Sequence, residues 1–176
     1  VSGASTQWTE VYIGDGSFFN NNLAVSFWSK IDESFDFNTH YAALFGLGDR
    51  SQSGDNTEFS IFYNHAGSGS RNDFFVATVG GSNNINLYHD PNVSIGLWYH
   101  LTATFNGSEV KFYVNGLLTG TASLSTLNIP KTNCVVRLNG DAVSANSAHQ
   151  GQATSLSNFK LYDTALTAEE VKTLYD

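Results

Sequence analysis

Short runs in which apolar and polar residues alternate dominate the chain, and clusters of Gly, Asn, Asp and Ser separate them. A period of two turns one face of each run toward a core and the other away from it, which is the mark of β-strands. The pattern predicts strands over Thr6–Ile13, Leu23–Ile31, Ala42–Gly48, Thr57–Asn64, Asp73–Val79, Ile85–His89, Leu97–Phe105, Glu109–Val114, Asn133–Leu138 and Ala153–Tyr162. Breaks such as Gly14-Asp15-Gly16, Asn20-Asn21-Asn22 and Gly80-Gly81-Ser82-Asn83-Asn84 tolerate left-handed backbone angles. Neither an internal repeat nor a linker interrupts the series. Residues 1–176 therefore read as one all-β domain, a two-sheet antiparallel sandwich with a short C-terminal helix.

Two local motifs are specific enough to assign residue by residue. Asn106-Gly107 is a favoured two-residue type I′ turn, which would set Phe105 opposite Ser108, Ala103 opposite Val110, Leu101 opposite Phe112 and Tyr99 opposite Val114. The other face would then pair Thr104 with Glu109, Thr102 with Lys111 and His100 with Tyr113, and would meet solvent or a shallow groove. A bulge at Ser108 would shift that pairing. At the chain's end, Thr167 and Glu170 have the spacing of a capping box, with Leu166 and Val171 as its hydrophobic staple. Val171, Leu174 and Tyr175 form the stripe that would dock this helix, and Glu169-Glu170 complement its dipole.

Composition narrows the class. The chain has 176 residues, is 41% hydrophobic and 14% charged, and is long enough for one real core. Its formal net charge is −8 with no Lys/Arg cluster, so a nucleic-acid partner is not expected. No apolar run approaches the roughly 20 residues of a membrane-crossing helix, and membrane insertion is not expected. Methionine is absent, so Val1 is not a translation start and the chain is expected to be a processed or excised piece of a larger protein. Cys134 is the lone cysteine and sits in the apolar run Cys134-Val135-Val136, where it reads as a small buried hydrophobe.

Three segments carry a family resemblance. They are WYHLTATFNGSEVKFYVNG over Trp98–Gly116, LSNFKLYDTALTAEEV over Leu156–Val171, and LAVSFWSK over Leu23–Lys30. They resemble the laminin G-like branch of the concanavalin A-like jelly rolls: a W-x-H hairpin ending in N-G, a final strand with its Y-x-x-A-L corner and closing helix, and an early strand ending in Trp and a basic residue. The match is poorest between Asp49 and Asn84. The resemblance implies a jelly roll of two curved antiparallel sheets. It leaves the activity open, because such folds serve as sugar-binding modules, lectins, adhesion domains, and some polysaccharide hydrolases and lyases.

Catalysis is not expected. Glycosidases of this fold place two carboxylates across a groove from one strand as Glu-x-Asp-x-Glu, and no such triplet occurs. Asp32-Glu33-Ser34-Phe35-Asp36 has the wrong spacing and follows a strand. Lyase-like Arg-x-Glu-x-Arg and serine-hydrolase Gly-x-Ser-x-Gly patterns are also missing. Relatives that hold calcium commonly carry acids at the start of the last strand. Here those positions are Leu156, Ser157 and Asn158, which leaves Asp15 and Asp141 as the candidate ligands for Ca²⁺.

Loop polarity places two candidate ligand-binding clusters. Sugar recognition needs an aromatic platform and planar polar groups that bracket hydroxyls. Tyr63, His65, Arg71, Asp73, Tyr88, His89 and Asp90 supply both at one end of the sandwich. Arg50 and Asp55 lie at the other end, and His100, Tyr113 and Lys111 form a third option on the hairpin's polar face. Trp28 and Trp98 read as structural, and Trp8 is undetermined. Asn92-Val93-Ser94 and Asn106-Gly107-Ser108 are glycosylation sequons in predicted turns. The expected function is an extracellular or cell-surface carbohydrate-binding, lectin-like module whose partner is a glycan or polysaccharide. The alternative is an interaction domain for a cell-surface protein, or a structural domain such as a fibre head.

Overall fold

The structure is a computed structural model that describes residues 8–35, 41–51, 57–64, 74–80, 85–89, 93–140 and 154–176. Its strands are β1 (Thr9–Gly14), β2 (Leu23–Ile31), β3 (Tyr41–Asp49), β4 (Thr57–Asn64), β5 (Phe74–Val79), β6 (Ile85–Tyr88), β7 (Trp98–Phe105), β8 (Glu109–Val114), β9 (Leu117–Ser123), β10 (Cys134–Leu138) and β11 (Thr154–Tyr162). A short 3-10 helix spans Ser17–Asn20, and α1 spans Ala168–Tyr175. One sheet has the order β1-β10-β3-β4-β5-β6 and the other β11-β2-β7-β8-β9, with antiparallel pairing throughout. The chain crosses repeatedly between them, as expected for the two-sheet sandwich with its closing helix.

Each predicted strand has a counterpart, but β9 was not foreseen. Its sequence, LLTGTAS, lacks alternation because it is an edge strand with both Leu117 and Leu118 exposed. Gly120 sits at a close approach: a side chain there would come within 3.2 Å of Leu87 Cβ, where β9 passes β6 of the facing sheet.

The β7–β8 hairpin corrects the predicted register. Phe105 pairs with Val110, Ala103 with Phe112, and Leu101 with Val114. Asn106 Oδ1 accepts the Ser108 N–H, the Ser108 hydroxyl and the Glu109 N–H, so the loop grows beyond two residues. The slip is two residues, which equals the side-chain period, so the same apolar residues still face the core. The type I′ signature occurs instead at Asn115-Gly116, both with positive φ (51° and 74°), between β8 and β9.

The hairpin's polar face is also not solvated as expected. His100, Thr102, Thr104 and Tyr113 are buried. The capping box of α1 forms as predicted: the Glu170 N–H donates to the Thr167 hydroxyl, and the Thr167 N–H donates to Glu170. Val171 is fully buried, and Tyr175 stacks on Trp28 at 5.7 Å and lies 6.1 Å from the His100 ring. Beneath the helix, Ser26 Oγ is 2.8 Å from His100 Nε2 and accepts the Thr102 hydroxyl at 3.1 Å. Nδ1 of His100 has no hydrogen-bond partner among the described residues. Burial, and secondarily the Lys160 charge, lower the His100 pKa from 6.5 to about 4.

The depressed His100 pKa sets the sign of a pH effect. The unfolded ring gains its proton near 6.5 and the folded ring only near 4, so stability is full above the first value and falls as pH drops toward the second. The gap corresponds to roughly 3 kcal/mol. Chemical denaturation from pH 7 to 4 should show this loss, and His100→Gln should flatten that portion of the profile. A second expectation concerns Gly16, whose N–H donates to Pro130 O at 2.9 Å. A Cβ there would collide with Cys134 Sγ and lie 2.6 Å from Ile129 Cγ2. Gly16→Ala should therefore lower stability by about 1–3 kcal/mol in the same assay.

Candidate functional site

Of the predicted site residues, those among the described ones do not converge. Tyr63 is fully buried in the core, edge-on to Phe35 at 5.2 Å, because it occupies an inward position of β4. It is no rim platform. Tyr88 projects from edge strand β6 and is 45% exposed. His89 follows it, half-buried, with its ring 6.2 Å from Phe75. Arg50 is exposed beyond β3 and reaches toward β1, which is the opposite edge of the six-stranded sheet from β6. Five inter-strand spacings separate those edges, about 24 Å. His65, Arg71, Asp73, Asp90, Asp55 and Asp141 lie outside the described residues.

Asp15 serves its own turn. Its Oδ1 accepts the Ser17 N–H at 2.9 Å and the Ser17 hydroxyl at 2.6 Å, which lower its carboxyl pKa. Among the described residues no group of three or more His, Cys, Asp or Glu side chains is placed to hold a metal ion. Cys134 is buried, and its thiol is pushed up to about 12 by that burial and by Asp49 and Asp15. The third option closes as well, since His100 and Tyr113 are buried and Lys111 pairs with Glu109 at 3.0 Å.

A different set of residues comes together on β1. Alternation turns Trp8, Glu10 and Tyr12 to one side, the outer face of the six-stranded sheet. Glu10 is the register partner of Arg137, and Tyr12 that of Val135. Trp8 is 38% exposed and Tyr12 61%. Between them, Glu10 Oε2 accepts Arg137 Nε–H at 2.8 Å, and Oε1 lies 3.3 Å from an Arg50 guanidinium nitrogen. Arg137 is nearly buried and also lies 4.4 Å from the Trp8 ring, so cation–π attraction and the carboxylate together compensate its lost hydration. Gly140 permits this packing, because a side chain there would meet Trp8 Cβ at 3.0 Å.

The result is a strip with an aromatic ring at each end and a cluster of one carboxylate and two guanidinium groups between them. Sequence reasoning included Arg50 but missed Glu10, Tyr12 and Arg137 and left Trp8 undetermined. The readable signals were the W-x-E-x-Y alternation and a lone Arg in the apolar strand CVVRL.

The other notable acid on this face is Glu58, on β4. It is half-buried, its Oε2 has no hydrogen-bond partner among the described residues, and burial raises its pKa. β4 and β1 are separated by three inter-strand spacings, about 14 Å. Glu10, for its part, is held by two arginines.

Solved structures share this architecture. The SAP-like pentraxin of Limulus polyphemus superimposes with a TM-score of 0.65 at 19% identity, covering 89% of this chain and 70% of the pentraxin. Domain 4 of AbnA, an extracellular arabinanase from Geobacillus stearothermophilus solved in complex with arabinotriose, gives 0.63 at 21% identity, covering 95% and 72%. The ligand-binding domain of Botulinum neurotoxin serotype D in complex with N-acetylneuraminic acid gives 0.66 at 14% identity, covering 96% of this chain but 39% of that one. At such identities the likeness is one of fold, and this fold is shared by binding domains and glycosidases alike. No curated protein sequence matches the chain. The sequence pattern of a known family does match, over residues 5–172, and it agrees with the sandwich seen here: the chain belongs to the concanavalin A-like lectin/glucanases superfamily.

Proposed function

We propose that this domain is a non-catalytic, lectin-like carbohydrate-binding module and that the β1 edge is its binding surface. The observation that carries this reading is the placement of Trp8 and Tyr12, both exposed, on either side of the Glu10–Arg137–Arg50 cluster. Aromatic rings offer apolar platforms to the C–H faces of sugars, and guanidinium N–H groups donate to hydroxyls. The cluster also holds the strip in shape before a ligand arrives, which lowers the ordering cost of binding. A non-catalytic role fits the engagement of both Glu10 oxygens by arginines. Similar folds solved with arabinotriose and with N-acetylneuraminic acid support a sugar as the class of ligand. An extracellular or cell-surface setting follows as part of the same proposal, because that is where polysaccharides are met.

Retention of the protein on insoluble polysaccharides and on a glycan array tests the reading. Trp8→Ala and Tyr12→Ala should each weaken binding of whichever glycan is retained by roughly tenfold or more, with the melting temperature little changed for the exposed Tyr12. Tyr88→Ala, on the opposite edge, should bind as the parent does. Silence across the whole panel, or loss with Tyr88→Ala alone, would sink the proposal.

A further inference from the structure

We infer that the β1 edge takes an uncharged, linear glycan several sugar units long, laid along the strand, in preference to a single terminal sugar or a polyanionic chain. This rests on the glycan-binding reading above and narrows its ligand class. The length follows from the strand. Trp8 and Tyr12 stand four residues apart in an extended chain, a span of about 13 Å, which no single sugar ring covers. A ligand that touches both platforms must therefore be an oligosaccharide, and its middle units must lie over the cluster between them.

The charge preference follows from how that cluster is satisfied. Both Glu10 oxygens are engaged, one by each arginine, and Arg137 is nearly buried. Arg50, with its side chain 58% exposed, is the cation in the strip that remains open to a ligand. One open guanidinium suits sugar hydroxyls as acceptors. It cannot offset a charge on every sugar unit against a chain whose formal net charge is −8.

Isothermal titration with cello-, xylo- and arabino-oligosaccharides, from mono- to hexasaccharide, reads both features. Sialyl-oligosaccharides and oligogalacturonates form the anionic arm. One neutral series should gain at least about tenfold in affinity from monosaccharide to hexasaccharide, with little change between low and high salt. Trp8→Ala and Tyr12→Ala should each remove that gain, whereas Tyr12→Phe, which keeps the ring, should retain it. Affinity that is complete at the monosaccharide, or tighter salt-sensitive binding of the anionic arm, would overturn the inference while leaving a sugar-binding domain. Binding to no sugar in either arm would overturn both.

Discussion

Phe45 of the six-stranded sheet meets Phe159 of the five-stranded sheet with ring centroids 5.9 Å apart, and Phe75 meets Tyr99 across the same interface at 5.3 Å. Such contacts fill the layer between the sheets with Phe27, Phe59, Phe105 and Phe112, all buried. Aromatic side chains bury large apolar areas with few rotatable bonds, so the layer is both a source of stability and a rigid spacer. Because side chains alternate along a strand, committing one face of every strand to this layer also decides which residues point outward. Position on the outer faces is a consequence of the core.

The two outer faces then diverge. On the five-stranded sheet, His100, Ser26 and Thr102 form a second buried layer, over which Trp28 and Tyr175 of α1 lie. The Asn115-Gly116 turn is part of that closure, since a side chain at Gly116 would lie 3.2 Å from the Tyr175 ring. A histidine in such a place stays neutral at ordinary pH, because its added charge would have no compensation. On the six-stranded sheet the β1 edge instead presents aromatic rings to solvent around a satisfied ion cluster. Tyr175 thus covers part of one face, while aromatic groups stay open at the edge of the other.

Local irregularities tune this arrangement without changing it. β11 shifts register between Ser157 and Lys160, where Asn158 has a positive φ of 52°, and the packing of Phe159 against the core follows from that bulge. Asp15, Asp49 and Asn106 each accept both the N–H and the hydroxyl of a serine two residues on. Three loops thus close on side chains instead of ladder bonds. This explains why so many Asx and Ser residues lie between the strands, and why several of them have local roles that leave them poorly suited to bind ligands.

Alternation along single segments was enough to find most strands, the capping box of α1, and the faces of the β7–β8 hairpin, because each depends on residues close together in sequence. The same holds for the family resemblance, whose motifs are themselves architectural. Register at Asn106 escaped that reading, since three competing donors on one side-chain oxygen outweigh the preference of an Asn-Gly pair. β9 escaped it as an edge strand without alternation. The proposed binding edge was even less legible. Glu10 and Arg137 are 127 positions apart, and only the pairing of β1 with β10 makes them neighbours. Tyr63 and Tyr88 look equivalent as tyrosines near strand ends, yet one is inside the core and the other outside it. Local pattern is written in the order of residues, whereas exposure and charge compensation depend on which distant strands lie side by side.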